Sequence, residues 1–230
     1  MKPNFDQSVI STMHEYGVNL NTREIYLHSY YVPGDDSNEP GVDYRMSTTF
    51  IKNLNFINQT GLGDIIIHQH CIGGGWYDGI AIYGALKTSL SRTIMVAYAQ
   101  ASSMSGITIQ GAAVRMLMPH TQFLVHAGTD GCIGLPRQLI SYVEETKRIE
   151  KEQVEIFAAR CINGKFFKDK KMNHGDVCKY IDDKVKEKID WFMDPEEAVF
   201  YGFADVIIGT KGHETIYKLV PVKKKNRKKK

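Results

Sequence analysis

The sequence predicts an α/β fold built on a largely parallel sheet. From Arg23 to Ile208, short β-branched runs alternate with stretches whose apolar residues recur at helical spacing. Glycine-rich or proline-opened junctions separate the two kinds of segment, and no linker or internal repeat divides them. At 230 residues, 43% apolar and 24% charged, the chain has enough apolar bulk for a sizeable core, which excludes disorder over most of its length.

The first 20 or so residues are polar and weakly patterned and read as a mobile arm. Arg23 to Leu27 (REIYL) reads as a strand, and 33–41 (PGDDSNEPG) as a loop. Ser47 is placed as a helix N-cap because Phe50, Ile51, Leu54 and Ile57 follow at helical spacing. Asp64 to His68 (DIIIH) is a short apolar run suited to a buried parallel strand. Gly73-Gly74-Gly75 then leads into a helix carrying Ile80, Ile82, Tyr83 and Leu86. Ile94 to Tyr98 is the next strand, Ala101 to Gln110 a buried helix of small residues ended by Gly111, and Gln122 to His126 another strand. Pro136 opens a long helix that runs to Ile162 and ends at Gly164. Asp194-Pro195-Glu196-Glu197 combines an N-cap, a first-position proline and a capping-box glutamate, and Gly202 closes that helix before a last strand, Asp205 to Ile208.

Composition narrows the function. No apolar run approaches the length of a membrane-spanning helix, and no signal peptide is read at the N-terminus. The net charge of +3 comes from the tail: without the seven basic residues of 223–230 (KKKNRKKK), 22 basic residues face 26 acidic ones. The body is therefore mildly acidic and does not point to a nucleic-acid partner. The tail itself reads as a solvated extension of mutually repelling charges. Cys71, Cys132, Cys161 and Cys178 form no CxxC pair and read as free thiols of a reducing cytosol.

Three places carry candidate chemistry. The Gly73-Gly74-Gly75 junction is either a flexible turn or an anion or oxyanion site, since glycine lets a backbone approach closely and a helix start leaves N–H groups free; it is neither a P-loop nor a GxGxxG fingerprint. Ser102-Ser103-Met104-Ser105-Gly106 begins a helix, so its serines are caps or a nucleophile, without the GxSxG elbow. His126 ends a strand, as a structural histidine or a base. His68 and His70 share a strand face, but no third metal ligand accompanies them, and neither a metal site nor a cofactor is read.

Taken together, these segments resemble one family. Gly73 to Tyr83 (GGGWYDGIAIY), Gln100 to Met104 (QASSM), the stretch from Gly111 through Arg115 and Pro119 to His126, and Asp190 to Asp205 (DWFMDPEEAVFYGFAD) follow the order of motifs in the Clp protease proteolytic subunit (ClpP). The resemblance covers most of Arg23 to Ile208. It implies the ClpP/crotonase-like spiral of repeated β-β-α units with a long handle helix. The implied layout is an arm over 1–20, a serine peptidase domain over 21–210 with its handle at about 136–188, and an extension over 211–230.

By position, the resemblance makes Ser103 the nucleophile, His126 the general base and Asp190 the orienting carboxylate, with the Gly73 and Met104 N–H groups as oxyanion hole. It implies a cytoplasmic serine endopeptidase, hydrolysing peptide bonds of peptides or unfolded proteins inside a homo-oligomeric chamber of seven-membered rings that can stack in pairs. A separate AAA+ ATPase is the implied partner for unfolding. This chain departs from the family pattern in several places, among them Ala99 where the family has glycine and a stretch near Gly111 to Arg115 about two residues shorter. Cys71-Ile72 replaces Ser-Pro, Ser102 and Ser105 stand beside Ser103 as rival nucleophiles, and about fifteen extra residues lie near Lys165 to Val185. That excess leaves Asp182, Asp183 and Asp194 as rivals to Asp190, which is favoured because apolar residues flank it and suggest partial burial. The alternatives are a capsid-maturation peptidase on the same fold, a non-catalytic ring subunit and a crotonase-type acyl-CoA enzyme.

Overall fold

The computed structural model describes residues 7–28 and 41–218. The 33–40 loop and the basic tail lie outside the described residues. Eight strands form a mixed, largely parallel sheet: β1 (Val18–Asn19), β2 (Glu24–His28), β3 (Ile65–Cys71), β4 (Thr93–Ser102), β5 (Val114–Leu117), β6 (Gln122–His126), β7 (Asp190–Met193) and β8 (Val206–Ile207). The order β1-β2-β3-β4-β5-β8 makes the main path, and β6 branches from β4 and carries β7 on its other edge. The β1–β2 and β6–β7 pairs are antiparallel, the others parallel. The α/β class read from the sequence is the class of the structure.

Among the described residues, eight α-helices accompany the sheet: α1 (Gln7–Tyr16), α2 (Tyr44–Gln59), α3 (Trp76–Lys87), α4 (Met104–Thr108), α5 (Pro136–Cys161), α6 (Lys165–Asp169), α7 (His174–Lys188) and α8 (Pro195–Tyr201). Ile65 and Ile67 of β3, Met95 and Ala97 of β4, and Phe123 of β6 join Phe50, Leu54, Ile57, Ile82 and Phe157 from the helices in one buried core. No helix among the described residues is long and apolar enough to cross a membrane.

Several local readings change. Asp43, not Ser47, caps α2: its Oδ1 accepts from the Arg45 and Met46 N–H groups at 3.0 and 2.9 Å. Ser47 sits one turn in, buried, donating its hydroxyl to Asp78 Oδ1 at 2.9 Å. Ala101 and Ser102 belong to β4, not to a helix, because the β6 ladder takes them up; the helical stretch shrinks to α4 and a 3-10 turn, Ile109–Gly111. Residues 7–16 are helical where the sequence reads as an unpatterned arm. Strands β1, β5 and β7 are too short, and helices α6 and α7 too heavily charged, to show a clear period in the sequence. The Asp194 cap, Pro195 and the left-handed Gly202 terminus (φ 84°) appear as read.

Glycine at 202 is required by more than its φ, since a Cβ there would lie 2.7 Å from the Gly164 Cα. The α8 end is tied to β5 by Arg115. This guanidinium, 3% exposed, donates to the Gly202 carbonyl at 2.8 Å, to Gln110 Oε1 at 2.6 Å and from Nε to Asp205 Oδ2 at 3.0 Å. Gln110 in turn donates to the carbonyls of Gly106 and Phe203. A charge this buried is tolerated because every side of it is paired. Burial raises the Asp205 pKa, but the bonds and charge of Arg115 outweigh it and hold the carboxyl below its usual value.

A group with a depressed folded-state pKa contributes stability that is present above its unfolded pKa and lost as pH falls through the folded one. The melting temperature therefore falls through the acid range below about pH 5, and Asp205→Asn flattens that part of the profile. Arg115→Ala, which leaves Asp205 and Gln110 without their partner, costs about 3–5 kcal/mol in urea denaturation.

Candidate active site

The site is assembled by strand register. β4 and β3 fall out of step near their ends: Gln69 pairs with Ala97, yet Cys71 pairs with Ala101. The extra residues of β4 form an irregularity that bends the strand away from β5, which pairs with it at Ile94 to Ala97, and toward β6, which pairs with it at Gln100 to Ser102. Thr121, 1% exposed, donates its hydroxyl to the Ala97 carbonyl at 3.0 Å inside the bend. Ser102 lies opposite Leu124, and the Ser103 N–H continues the ladder to the Leu124 carbonyl at 3.1 Å. Ser103 thus stands at the mouth of β4, one step from the end of β6 where His126 sits.

Ser103 is a backbone outlier with φ 55° and ψ −130°. A serine in the left-handed half of φ space is strained, and such strain concentrates at working sites. The turn is held from both sides. Ser105 Oγ accepts from the Ser102 N–H and donates to the Ser102 carbonyl, at 2.9 and 2.8 Å, so Ser105 is a buried brace and Ser102 a ladder residue. Gly73 packs opposite with φ 123°; a Cβ there would meet the Ser103 Cβ at 2.7 Å and the Met104 nitrogen at 3.2 Å. Only glycine brings the Gly73 backbone this close to the start of α4, where the Met104 N–H is among the first and has no intrahelical acceptor. Cys71 is buried, its thiol donating to the Gly73 carbonyl at 3.4 Å, and Val42 donates to the same oxygen from the other side.

His126 pairs across the antiparallel β6–β7 ladder directly with Asp190. Its Nδ1 lies 3.2 Å from Asp190 Oδ1. Asp190 is less covered than its apolar neighbours in sequence suggest: its side chain is 49% exposed. Strand neighbours point to opposite faces, so buried Trp191 and Met193 leave Asp190 and Phe192 facing out. The rivals are otherwise engaged. Asp194 caps α8, Asp182 pairs with Lys186, and Asp183 with Lys179. His126 Nε2 is buried and has no hydrogen-bond partner among the described residues. Ser103 and His126 line one cavity of about 570 Å³, together with Gly74, Met104 and, from α5, Gln153, without a hydrogen bond joining serine and imidazole. A serine–base link is often loose until substrate binds. A neighbouring cavity of about 400 Å³ runs past His126 and Asp190 toward Val185 and Ile189.

The sequence reading does not single out Gln153. It is 7% exposed within the apolar stripe of α5 and donates to the His126 carbonyl at 2.5 Å, bracing the strand end that carries the imidazole. A polar residue beside Ile156 and Phe157 on a buried face is the signal that marks it. His68 is committed elsewhere, with Nε2 on Glu24 and Nδ1 on the Tyr98 hydroxyl at 3.0 and 2.8 Å, so its ring has no nitrogen left for a metal.

The sequence model of the Clp protease family matches residues 38–211, three quarters of the chain and the whole of this site. The chain belongs to the Clp protease family. Relatives are similar at a distance. The ATP-dependent Clp protease proteolytic subunit of Deinococcus radiodurans is 24% identical over 172 residues, covering 73% of this chain and 76% of its own. The proteolytic subunit from Pleurastrum terricola is 24% identical over 150 residues, 64% of this chain and 69% of its own. The chloroplastic proteolytic subunit 6 of Arabidopsis thaliana is 29% identical over 94 residues, 40% of this chain and 32% of its own. Within the family frame, the motifs at Gly73, Ser103, His126 and Asp190 are the segments that the sheet gathers at one end.

Two glycines test the packing at this junction. Gly73→Ala forces a Cβ into Ser103 and lowers the melting temperature. Gly84→Ala, inside α3 where an added Cβ would meet nothing within 4 Å, raises it by the equivalent of about 0.5–1 kcal/mol. Thermal denaturation of the two variants beside the parent protein checks both signs.

Proposed function

We propose that this Clp protease family member is a serine endopeptidase in which Ser103 is the nucleophile, His126 the general base and Asp190 the carboxylate that orients it. The observation that carries the reading is the register: three adjacent strand ends bring a strained serine, an imidazole with one nitrogen on a carboxylate and its other nitrogen unpartnered, and a glycine junction to one cavity. Asp190 accepts from the His126 Nδ1–H, which leaves Nε2 with the lone pair that can take a proton. Nε2 takes the Ser103 proton as Oγ attacks the scissile carbonyl, the Gly73 and Met104 N–H groups stabilise the oxyanion, and the imidazolium returns its proton to the leaving amine. Loss of one oxyanion donor costs about 2.7–4 kcal/mol in comparable sites.

The relatives' names describe ATP-dependent protease subunits, which supports an AAA+ ATPase as the partner that unfolds substrates. A homo-oligomeric chamber fits the outer half of α5. Its 26 residues span about 39 Å at 1.5 Å per residue, and Leu139, Ile140 and Val143 are exposed there, as are Ile133 and Leu135 just before it. Apolar residues in this number along one exposed segment call for cover by another chain.

A fluorophosphonate probe labels the parent protein and not Ser103→Ala, and hydrolysis of a short fluorogenic peptide disappears with the label. Asp190→Asn lowers kcat by about 10⁴-fold with the fold intact, whereas Asp182→Asn leaves it near the parental rate. A probe-inert parent protein marks a non-catalytic family member instead. Light scattering at micromolar concentration gives an oligomeric mass, and Ile140→Glu with Val143→Glu shifts it toward the monomer; a monomeric parent overturns the chamber.

A further inference from the structure

Away from this site, a thiol, an imidazole and a carboxylate meet between α5 and α7. His174 and Cys178 are four residues apart on α7 and so project from one face of the helix. Glu155 reaches them from α5. Cys178 Sγ lies 3.6 Å from Glu155 Oε2, the His174 ring places Nδ1 3.7 Å from that sulfur, and its Nε2 lies 3.6 Å from the same carboxylate oxygen. One donor atom from each of the three residues falls within 4.8 Å of the others.

We propose that Glu155, His174 and Cys178 form a zinc-binding site that staples the long helix α5 to α7. The spacing carries the argument. With metal–ligand distances of about 2.3 Å for sulfur and 2.0–2.2 Å for nitrogen and oxygen, a tetrahedral zinc holds its ligand atoms roughly 3.4–3.6 Å apart. The sulfur and the carboxylate oxygen already stand at that separation, and with one imidazole nitrogen as the third ligand every donor pair lies within 4.8 Å, so metal entry requires rotation of the imidazole and a closing of the triangle by about 1 Å on its longest side.

The backbone under the donors is fixed independently. Val177 and Ile181, on α7 beside the two ligands, are fully buried in the core that includes Phe157 of α5. Glu155 and His174 are exposed and Cys178 is half-buried, so an ion has an open path from solvent. The donor set selects the ion. Magnesium and calcium favour all-oxygen cages, whereas a thiolate, an imidazole and a carboxylate together suit zinc. One thiolate and one carboxylate balance its two positive charges, the thiol proton leaves to solvent on binding, and a water completes the fourth position.

Such a staple has a place in the structure. The chain leaves α7 at Ile189, a residue with φ 63°, and the next residue is Asp190. An ion that holds the start of α7 on α5 restrains the helix that delivers Asp190 to His126. The inference concerns metal binding and stability and does not depend on the catalytic reading.

The test uses the full-length chain stripped of metal and titrated with cobalt(II), whose thiolate complexes show a near-ultraviolet charge-transfer absorption. The expected result is one such site per chain, displaced by zinc, with zinc raising the melting temperature. Cys178→Ser removes the absorption and the zinc-dependent rise, and His174→Ala and Glu155→Gln each weaken binding by at least about tenfold. Cys132→Ser, at an exposed cysteine remote in sequence from the cluster, leaves all of these unchanged. Absence of the absorption in the parent protein, its survival in Cys178→Ser, or equal zinc binding by the parent and His174→Ala overturns the proposal. Circular dichroism of each variant separates loss of ligand from loss of fold. Because the absorption and melting readouts involve no peptide hydrolysis, failure here leaves the peptidase reading standing, and the reverse holds too.

Discussion

The site depends on a bend in one strand. β4 pairs with β5 along its first half and with β6 along its last residues, and the mismatch against β3 between Gln69 and Cys71 is where it changes partner. A regular β4 would continue alongside β5 and carry Ser103 away from His126. The bend instead sends Ser102 and Ser103 onto the β6 ladder, and from there every relation is set by main-chain hydrogen bonds: Ser103 to Leu124, then His126 across to Asp190. Main-chain ladders fix where each side chain leaves the backbone, and rigid strands hold such positions more precisely than loops do.

The bend leaves carbonyls to satisfy and a turn to hold in strain. The Thr121 hydroxyl meets the Tyr98 carbonyl, Ser105 closes both polar groups of Ser102, and Gly73 occupies the one space beside Ser103 that no side chain fits. The left-handed Ser103 persists because its neighbours over-determine it. The Cys71 thiol takes part in the same bracing through the Gly73 carbonyl.

The Arg115 cluster plays the complementary role at the other end of the sheet. It joins the 3-10 turn after α4, through Gln110, to the end of α8 and to Asp205. The capped helix α8 is thereby fastened to the helical stretch that follows Ser103. The segment of α6 and α7 enters between α5 and β7 without disturbing this frame. Its aromatic residues Phe166, Phe167 and Tyr180 pack against Tyr201, and Tyr180 also against Trp191.

The sequence by itself determined the α/β class, the strand at Ile65, the long helix from Pro136, the Asp194 cap and Gly202 stop, and the set of residues worth watching. Each is local: a period, a cap or a proline needs only its neighbours to act. Tertiary structure decided the rest. Whether Ala101 and Ser102 are helix or strand turns on β6, about twenty residues away, which offers them hydrogen bonds a helix would also have offered. Which serine faces the cavity turns on that register, and which aspartate meets His126 turns on the β6–β7 pairing, where sequence position between apolar residues suggested partial burial and the strand's alternation instead points Asp190 outward. Gln153 and the meeting of Glu155 with His174 and Cys178 come from helices packed side by side, a relation between distant segments that periodicity within one segment does not encode.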